Sequence, residues 1–139
     1  MIQLAKLSGF TTIAATASLH NAELLKSLGA THVIDRKSDI AAEAKNTFPS
    51  PPRTIFDTIS GETQEQAWTI LAPGGSLVLL QEPKESLKGS KDDKKFGRVF
   101  GSSYAHREFA AGLQPHITKY LTLGNVIVSI NSLDFVRRL

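Results

Sequence analysis

The segment TTIAATASLHNAELLKSLGATHVIDR, Thr11 to Arg36, decides how this chain is read. It opens with TTIAATAS, whose β-branched and small residues suit a short buried strand. Asn21 then stands ahead of a run in which Ala22, Leu24, Leu25 and Leu28 form an apolar stripe, so a helix capped by Asn21 is expected. Gly29 is placed to stop that helix, and THVID follows as a second strand.

The same alternation continues on both sides. MIQLAKLSGF carries Ile2, Leu4, Ala5 and Leu7 at spacings compatible with the closing turns of an amphipathic helix, with Gly9 as its stop. SDIAAEAKNTF is helical in composition and PSPP breaks it. TIFDTIS, Thr54 to Ser60, is a third strand. Thr63 and Gln66 have capping-box spacing for a helix that runs to about Leu71, ended by Pro73, Gly74 and Gly75. SLVLLQ is a fourth strand, GRVFGSS a fifth, and a helix from about His106 to Leu123 stops at Gly124-Asn125. Strands alternating with helices in this way predict an α/β fold built on a doubly wound parallel sheet. Ligands of such a sheet bind beyond the carboxyl ends of its strands.

Composition excludes several classes. The 139 residues include no cysteine, so neither a disulfide framework nor a thiolate metal site exists, and cytoplasmic residence is the default expectation. Four scattered histidines without paired spacing make no metal site. No apolar run approaches the roughly 18 residues of a membrane span. The net charge of +3 resides between Lys84 and Arg98, where six basic residues face three acids; the rest of the chain balances. KESLKGSKDDKKFGR reads as a solvated loop rather than a nucleic-acid patch, because its charges are mixed and interleaved with Ser and Gly.

A dinucleotide fold normally opens with a strand and G-x-G-x-x-G, whose glycines let the backbone approach a pyrophosphate. That motif does not occur. APGGS lies between helix and strand, the wrong order, and FGSSYAHREF has one glycine where three are needed. The end of the first quoted strand is more informative. Ser18, His20 and Asn21 are neutral or positive where a carboxylate would repel a ribose 2′-phosphate. A following helix N-terminus would add N–H groups and a favourable dipole. Arg36, just past THVID, carries a fork of donors toward the same corner. Two readings stand side by side: a 2′-phosphate site for NADPH, or two helix-capping residues with an exposed histidine and a surface arginine. Tyr104, His106 and His116 are lone titratable groups, and Asp35 and Asp57 read as strand terminators; no catalytic residue is assigned.

IQLAKLSGFTTIAATASLHNAELLKSLGATHVID, FDTISGETQEQAWTILAPGGSLVLL and GRVFGSSYAHREFAAGLQPHITKYL together resemble the nucleotide-binding half of medium-chain dehydrogenases/reductases. The likeness is to the zinc-independent alcohol-dehydrogenase-like group that includes fungal trans-acting enoyl reductases of secondary metabolism. It implies a Rossmann-like domain over residues 1–125 and a divergent tail over 126–139. It implies NADPH as cofactor, held through Ser18, Leu19, His20 and Asn21, with Arg36 standing where relatives carry a tyrosine. Leu71 matches a main-chain cofactor contact. The implied substrate is a small-molecule or carrier-bound enoyl group, with a polyketide synthase as the implied partner.

Measured against that resemblance, the expected first strand, its glycine-rich turn and a separate substrate domain are lacking, which predicts a truncated sheet. In the order 3-2-1-4-5-6 the first strand lies mid-sheet. TTIAATAS and TIFDTIS should therefore face a gap, with unpaired edges that favour self-association. Two functions follow as expectations: an NADPH-dependent enoyl or carbonyl reductase, or an inactive remnant acting as a structural or interaction module.

Overall fold

The computed structural model describes residues 1–88, 93–99 and 107–126. Helix α1 (Ile2–Leu7) leads into strand β1 (Ala14–Ala17), a 3-10 turn (Leu19–Asn21), helix α2 (Ala22–Ser27) and strand β2 (His32–Asp35). Helix α3 (Ile40–Thr47) crosses to strand β3 (Thr54–Asp57), followed by α4 (Glu62–Ile70), β4 (Ser76–Leu79), α5 (Glu85–Lys88), β5 (Lys95–Arg98) and α6 (Arg107–Thr122).

Every strand pair is parallel, in the orders β1-β2 and β3-β4-β5. The chain thus builds outward from β1 to β2, then crosses over and builds outward again from β3. In a doubly wound α/β sheet the reversal of strand order falls between β1 and β3, the switch point of the fold. Among the described residues no strand joins β1 to β3. The ladder parity identifies the open groups. Ile13 and Ala17 carbonyls accept from the β2 side, and Arg53 and Asp57 carbonyls from the β4 side. By alternation, Ala14 and Thr16 on one strand, and Thr54 and Phe56 on the other, turn their main-chain groups toward the gap.

The larger apolar cluster sits on the three-stranded side. Leu77 and Leu79 of β4 are fully buried, joined by Ala67 and Leu71 from the α4 side and by Leu87 of α5. Ile55, Leu77 and Phe96 share one row across β3, β4 and β5. Burying one such leucine contributes about 1.5–3 kcal/mol. Trp68 closes the end of the row, its ring edge-on to Phe96 at 6.0 Å, while the Lys94 ammonium donates to the Trp68 carbonyl at 2.7 Å. Gly75 is required by close approach: a Cβ there would lie 2.8 Å from the Ala72 carbonyl oxygen and 2.9 Å from the Leu71 side chain.

Several local expectations need correction. Thr63 is not a cap. Helix α4 starts at Glu62 after Gly61, without a side-chain cap, and the Thr63 hydroxyl reaches back to the Asp57 carboxylate instead. The third strand stops at Asp57 because Ile59 and Ser60 donate their amides to that carboxylate, which turns the chain. The fifth strand starts at Lys95, inside the stretch read as a solvated loop, since its alignment with β4 pairs Lys95 with Ser76 and Phe96 with Leu77. That stretch also holds α5. Leu24 is 58% exposed, off the buried side of α2. Helix α3 has the cap that was not singled out: Asp39 Oδ1 accepts from the Ala41 and Ala42 amides at 3.0 and 3.1 Å. The tail 127–139, Tyr104 and His106 lie outside the described residues.

Candidate functional site

β1 and β2 end together. Ala17 is paired with Asp35, and the Arg36 amide donates to the Ala17 carbonyl at 2.9 Å, so Ser18 and Arg36 leave the sheet side by side. Past Ser18, which is still extended (φ −67°, ψ 135°), the main chain closes its own turn: the Asn21 amide donates to the Ser18 carbonyl at 2.9 Å.

This turn removes the capping alternative. Neither Ser18 nor Asn21 makes a side-chain cap bond. Asn21 has φ −92° and ψ 4°, whereas a capping side chain needs an extended backbone to fold over the next amides. Ser18 is half-buried, and Leu19, His20, Asn21 and Arg36 are exposed. The expected dipole contribution is reduced, because α2 spans only six residues and begins behind a 3-10 turn. The residues that leave the sheet at this corner carry a hydroxyl, an imidazole, a carboxamide and a guanidinium. The Asp35 carboxylate is engaged with the Lys37 amide at 3.0 Å and closes the turn after β2. Lys37, also exposed, adds a second cation that the sequence reading passed over; its adjacency to Arg36 was the signal.

Leu71 is not brought to this corner. It follows α4, is 2% exposed, and packs in the core. The next amide, Ala72, donates to the Pro52 carbonyl, ahead of the first residue of β3. Leu71 therefore stands at the amino end of the sheet and the Ser18 corner at the carboxyl end. His116 lies exposed on α6.

A second constellation sits at the carboxyl ends of β3 and β4, and sequence reasoning missed it. Asp57 is buried; its Oδ1 accepts from the Ile59 amide and the Thr63 hydroxyl, both at 3.0 Å, and its Oδ2 from the Ser60 amide at 3.2 Å. Gln64 is fully buried. Its Nε2 donates to Ser60 Oγ at 3.3 Å and to the Glu82 carbonyl at 3.0 Å, while its Oε1 accepts from the Lys84 amide at 2.9 Å. Beside it, the Lys84 ammonium lies 2.8 Å from Glu65 Oε2 and the Ser86 hydroxyl donates to Glu65 Oε1. These two donors, Lys84 first, hold the Glu65 carboxyl below the usual range. One signal for Gln64 was present: it falls on the apolar stripe of α4 with Ala67, Trp68 and Leu71, a polar residue at a core position.

With this geometry in place, likeness to known proteins can be read. A family model described as zinc-binding dehydrogenase matches residues 1–118. The trans-enoyl reductase ACTTS2 of Alternaria alternata is 38% identical over 82 residues, which is 57% of this chain and 24% of that protein. The crystal structure of the CurK enoyl reductase superposes with a TM-score of 0.74 at 25% identity, over 90% of this chain and 40% of that one. A domain assigned as the enoyl reductase of a polyketide synthase gives a TM-score of 0.73 at 26% identity, over 92% of this chain and 75% of that one. The chain thus spans about a quarter of the curated relative and two fifths of the CurK structure.

Proposed function

The chain belongs to the zinc-binding dehydrogenase family, and from that premise we propose that it is the cofactor-binding part of an NADPH-dependent reductase acting on enoyl or carbonyl groups. The observation that carries this reading is the Ser18–Asn21 turn. Ser18 and Asn21 make no side-chain cap bonds, and the turn leaves the sheet next to the main chain of Arg36 at the shared carboxyl end of β1 and β2. Those donors fit a phosphate dianion: a guanidinium matches it with two parallel N–H bonds, and hydroxyl and carboxamide groups donate around it. NADPH, when bound, supplies the hydride; the chain's own residues bind and orient its adenosine end. Ser18, His20 and Asn21 would hold the 2′-phosphate through side chains and Arg36 would neutralise it, with Leu19 covering the adenosine as an exposed apolar residue (56%).

Zinc does not fit the residues in view. The sequence has no cysteine, and among the described residues no three His, Asp or Glu side chains are grouped to hold an ion.

The names of two relatives, a trans-enoyl reductase of a fungus and an enoyl reductase domain of a polyketide synthase, support an enoyl substrate and a polyketide synthase as the partner that presents it. Among the described residues no helix is long and apolar enough to cross a membrane.

The test is a binding titration with 2′,5′-ADP and 5′-AMP, which differ by the phosphate at issue, followed by NADPH against NADH. Tighter binding of 2′,5′-ADP and of NADPH is expected; equal affinities would remove the assignment. A second reading, an interaction module without catalysis, draws on the open main-chain groups of Ala14, Thr16, Thr54 and Phe56.

A further inference from the structure

The loop after β3 contains a backbone feature that the proposed adenosine corner does not use. Ser60 has φ +81°, the left-handed region, and Gly61 follows at φ +75°. A serine in that region is strained, and such strain persists only where the surroundings hold it. Here three bonds hold it: the Ser60 amide to Asp57 Oδ2 at 3.2 Å, the Thr63 hydroxyl to the Ser60 carbonyl at 3.1 Å, and Gln64 Nε2 to Ser60 Oγ at 3.3 Å.

Gln64 does more than brace Ser60. The same carboxamide binds the Glu82 carbonyl and the Lys84 amide, which lie 18 and 20 residues on, in the loop after β4. Both N–H groups and the carbonyl oxygen of one fully buried side chain are thus spent on two loops. These loops rim the carboxyl ends of β3 and β4; in the doubly wound order they lie across the switch point from the strands that carry Ser18 and Arg36. A ligand in an open α/β sheet lies across that switch point. An extended dinucleotide anchored by its adenosine phosphate at the β1–β2 corner must therefore pass the Ser60–Gly61 turn.

We propose that Gln64 is a positioning residue: it locks the Ser60–Gly61 turn and the Glu82–Lys84 loop into one rigid rim that receives the part of the cofactor beyond the adenosine phosphate. The inference rests on the NADPH reading given above. A buried carboxamide suits this task because the partners it would abandon are main-chain groups, and leaving those unsatisfied is costly. An apolar residue of equal size would fill the space and release both loops.

The experiment titrates the full chain and its Gln64→Met variant with NADPH and with 2′,5′-ADP. Gln64→Glu serves as a second variant of the same size should Gln64→Met fold poorly: it keeps an acceptor for the Lys84 amide but sets an oxygen where Nε2 donates to Ser60 Oγ and the Glu82 carbonyl. The expected result is a loss of about tenfold or more in NADPH affinity for both variants, with unchanged 2′,5′-ADP affinity in both. Equal losses for the two ligands would make Gln64 a general support of the fold and overturn the proposal. Unchanged NADPH affinity would overturn it as well, while leaving the adenosine corner intact. A wild-type chain that binds neither ligand overturns the NADPH reading itself and this inference with it.

Discussion

The Arg36 amide donates to the Ala17 carbonyl at 2.9 Å, continuing the β1–β2 ladder one residue beyond the paired strands. The backbone of Arg36 is thereby fixed beside Ser18, while its side chain stays exposed. Removing the guanidinium leaves that main-chain bond in place. A defect in Arg36→Ala therefore reports on ligand contact and not on folding.

For Arg36→Ala, the affinity for 2′,5′-ADP should fall about tenfold, since a hydrogen bond to a charged group contributes about 1.5–3 kcal/mol. Binding of 5′-AMP should not change. The loss should shrink as salt rises, because the corner is exposed and screened. Isothermal titration of both nucleotides at two ionic strengths checks this; parallel losses for the two would assign Arg36 to the fold.

Asp57 gathers two amides and a hydroxyl at a site where water has little access. Asp57→Ala should lower stability by about 2–4 kcal/mol, from donors left without partners. Asp57→Asn keeps one acceptor oxygen and should lose less. Urea denaturation of the three proteins measures the order. An alanine variant within about 0.5 kcal/mol of wild type would show that the turn does not depend on this carboxylate.

Glu65 gives a pH signature. Its folded-state carboxyl titrates below the unfolded one, through the Lys84 and Ser86 hydrogen bonds. A depressed carboxylate contributes stability that is present above the unfolded value and lost as pH falls through the folded one. Wild type should therefore lead Glu65→Gln at neutral pH, and the lead should close on acidification below the usual glutamate range. The pair is partly exposed, so the effect is small and fades with salt. Thermal melts across pH, at low salt, decide it; a difference constant with pH would refute the link.

The gap between β1 and β3 predicts self-association. Main-chain groups of Ala14, Thr16, Thr54 and Phe56 are offered to any extended strand that reaches them. Sedimentation should show concentration-dependent assembly. Thr16→Pro, which removes one gap-facing donor without touching the β2 ladder, should weaken it. A monomer at every concentration tested would count against open edges.

The sequence made the alternation of strands and helices, the parallel sheet and the glycine stops legible, because these rest on local periodicity and on residues with one dominant conformational preference. What it hid depends on partners far along the chain. Asn21 has the composition of a cap, yet the 3-10 turn leaves its backbone at φ −92° and ψ 4°, outside the extended region a capping side chain needs. Thr63 has capping-box spacing, yet the Asp57 carboxylate competes for its hydroxyl. The start of β5 is set by its alignment with β4, which no local pattern encodes. At the candidate site, Ser18 and Arg36 were legible as neighbours because they end adjacent parallel strands. For Gln64 the sequence showed a polar residue on the apolar stripe of α4 but not its partners, which lie up to 20 residues away.

The asymmetry of the core has a consequence for motion. The Leu77–Leu79 cluster belongs to the three-stranded half, whereas the two-stranded half relies on Ile13, Ala30 and Ile34, with Ala44 on the crossing helix. Regions with fewer buried apolar contacts open at lower free energy than the molecule as a whole. The corner proposed for adenosine therefore sits on the half that opens first, and a ligand bound there would act as a fastener: at a hundred times its dissociation constant it would add about 2.7 kcal/mol to the closed state by mass action. Amide exchange in β1 and β2 would then track cofactor concentration, while exchange in β4 would keep to its own slower clock.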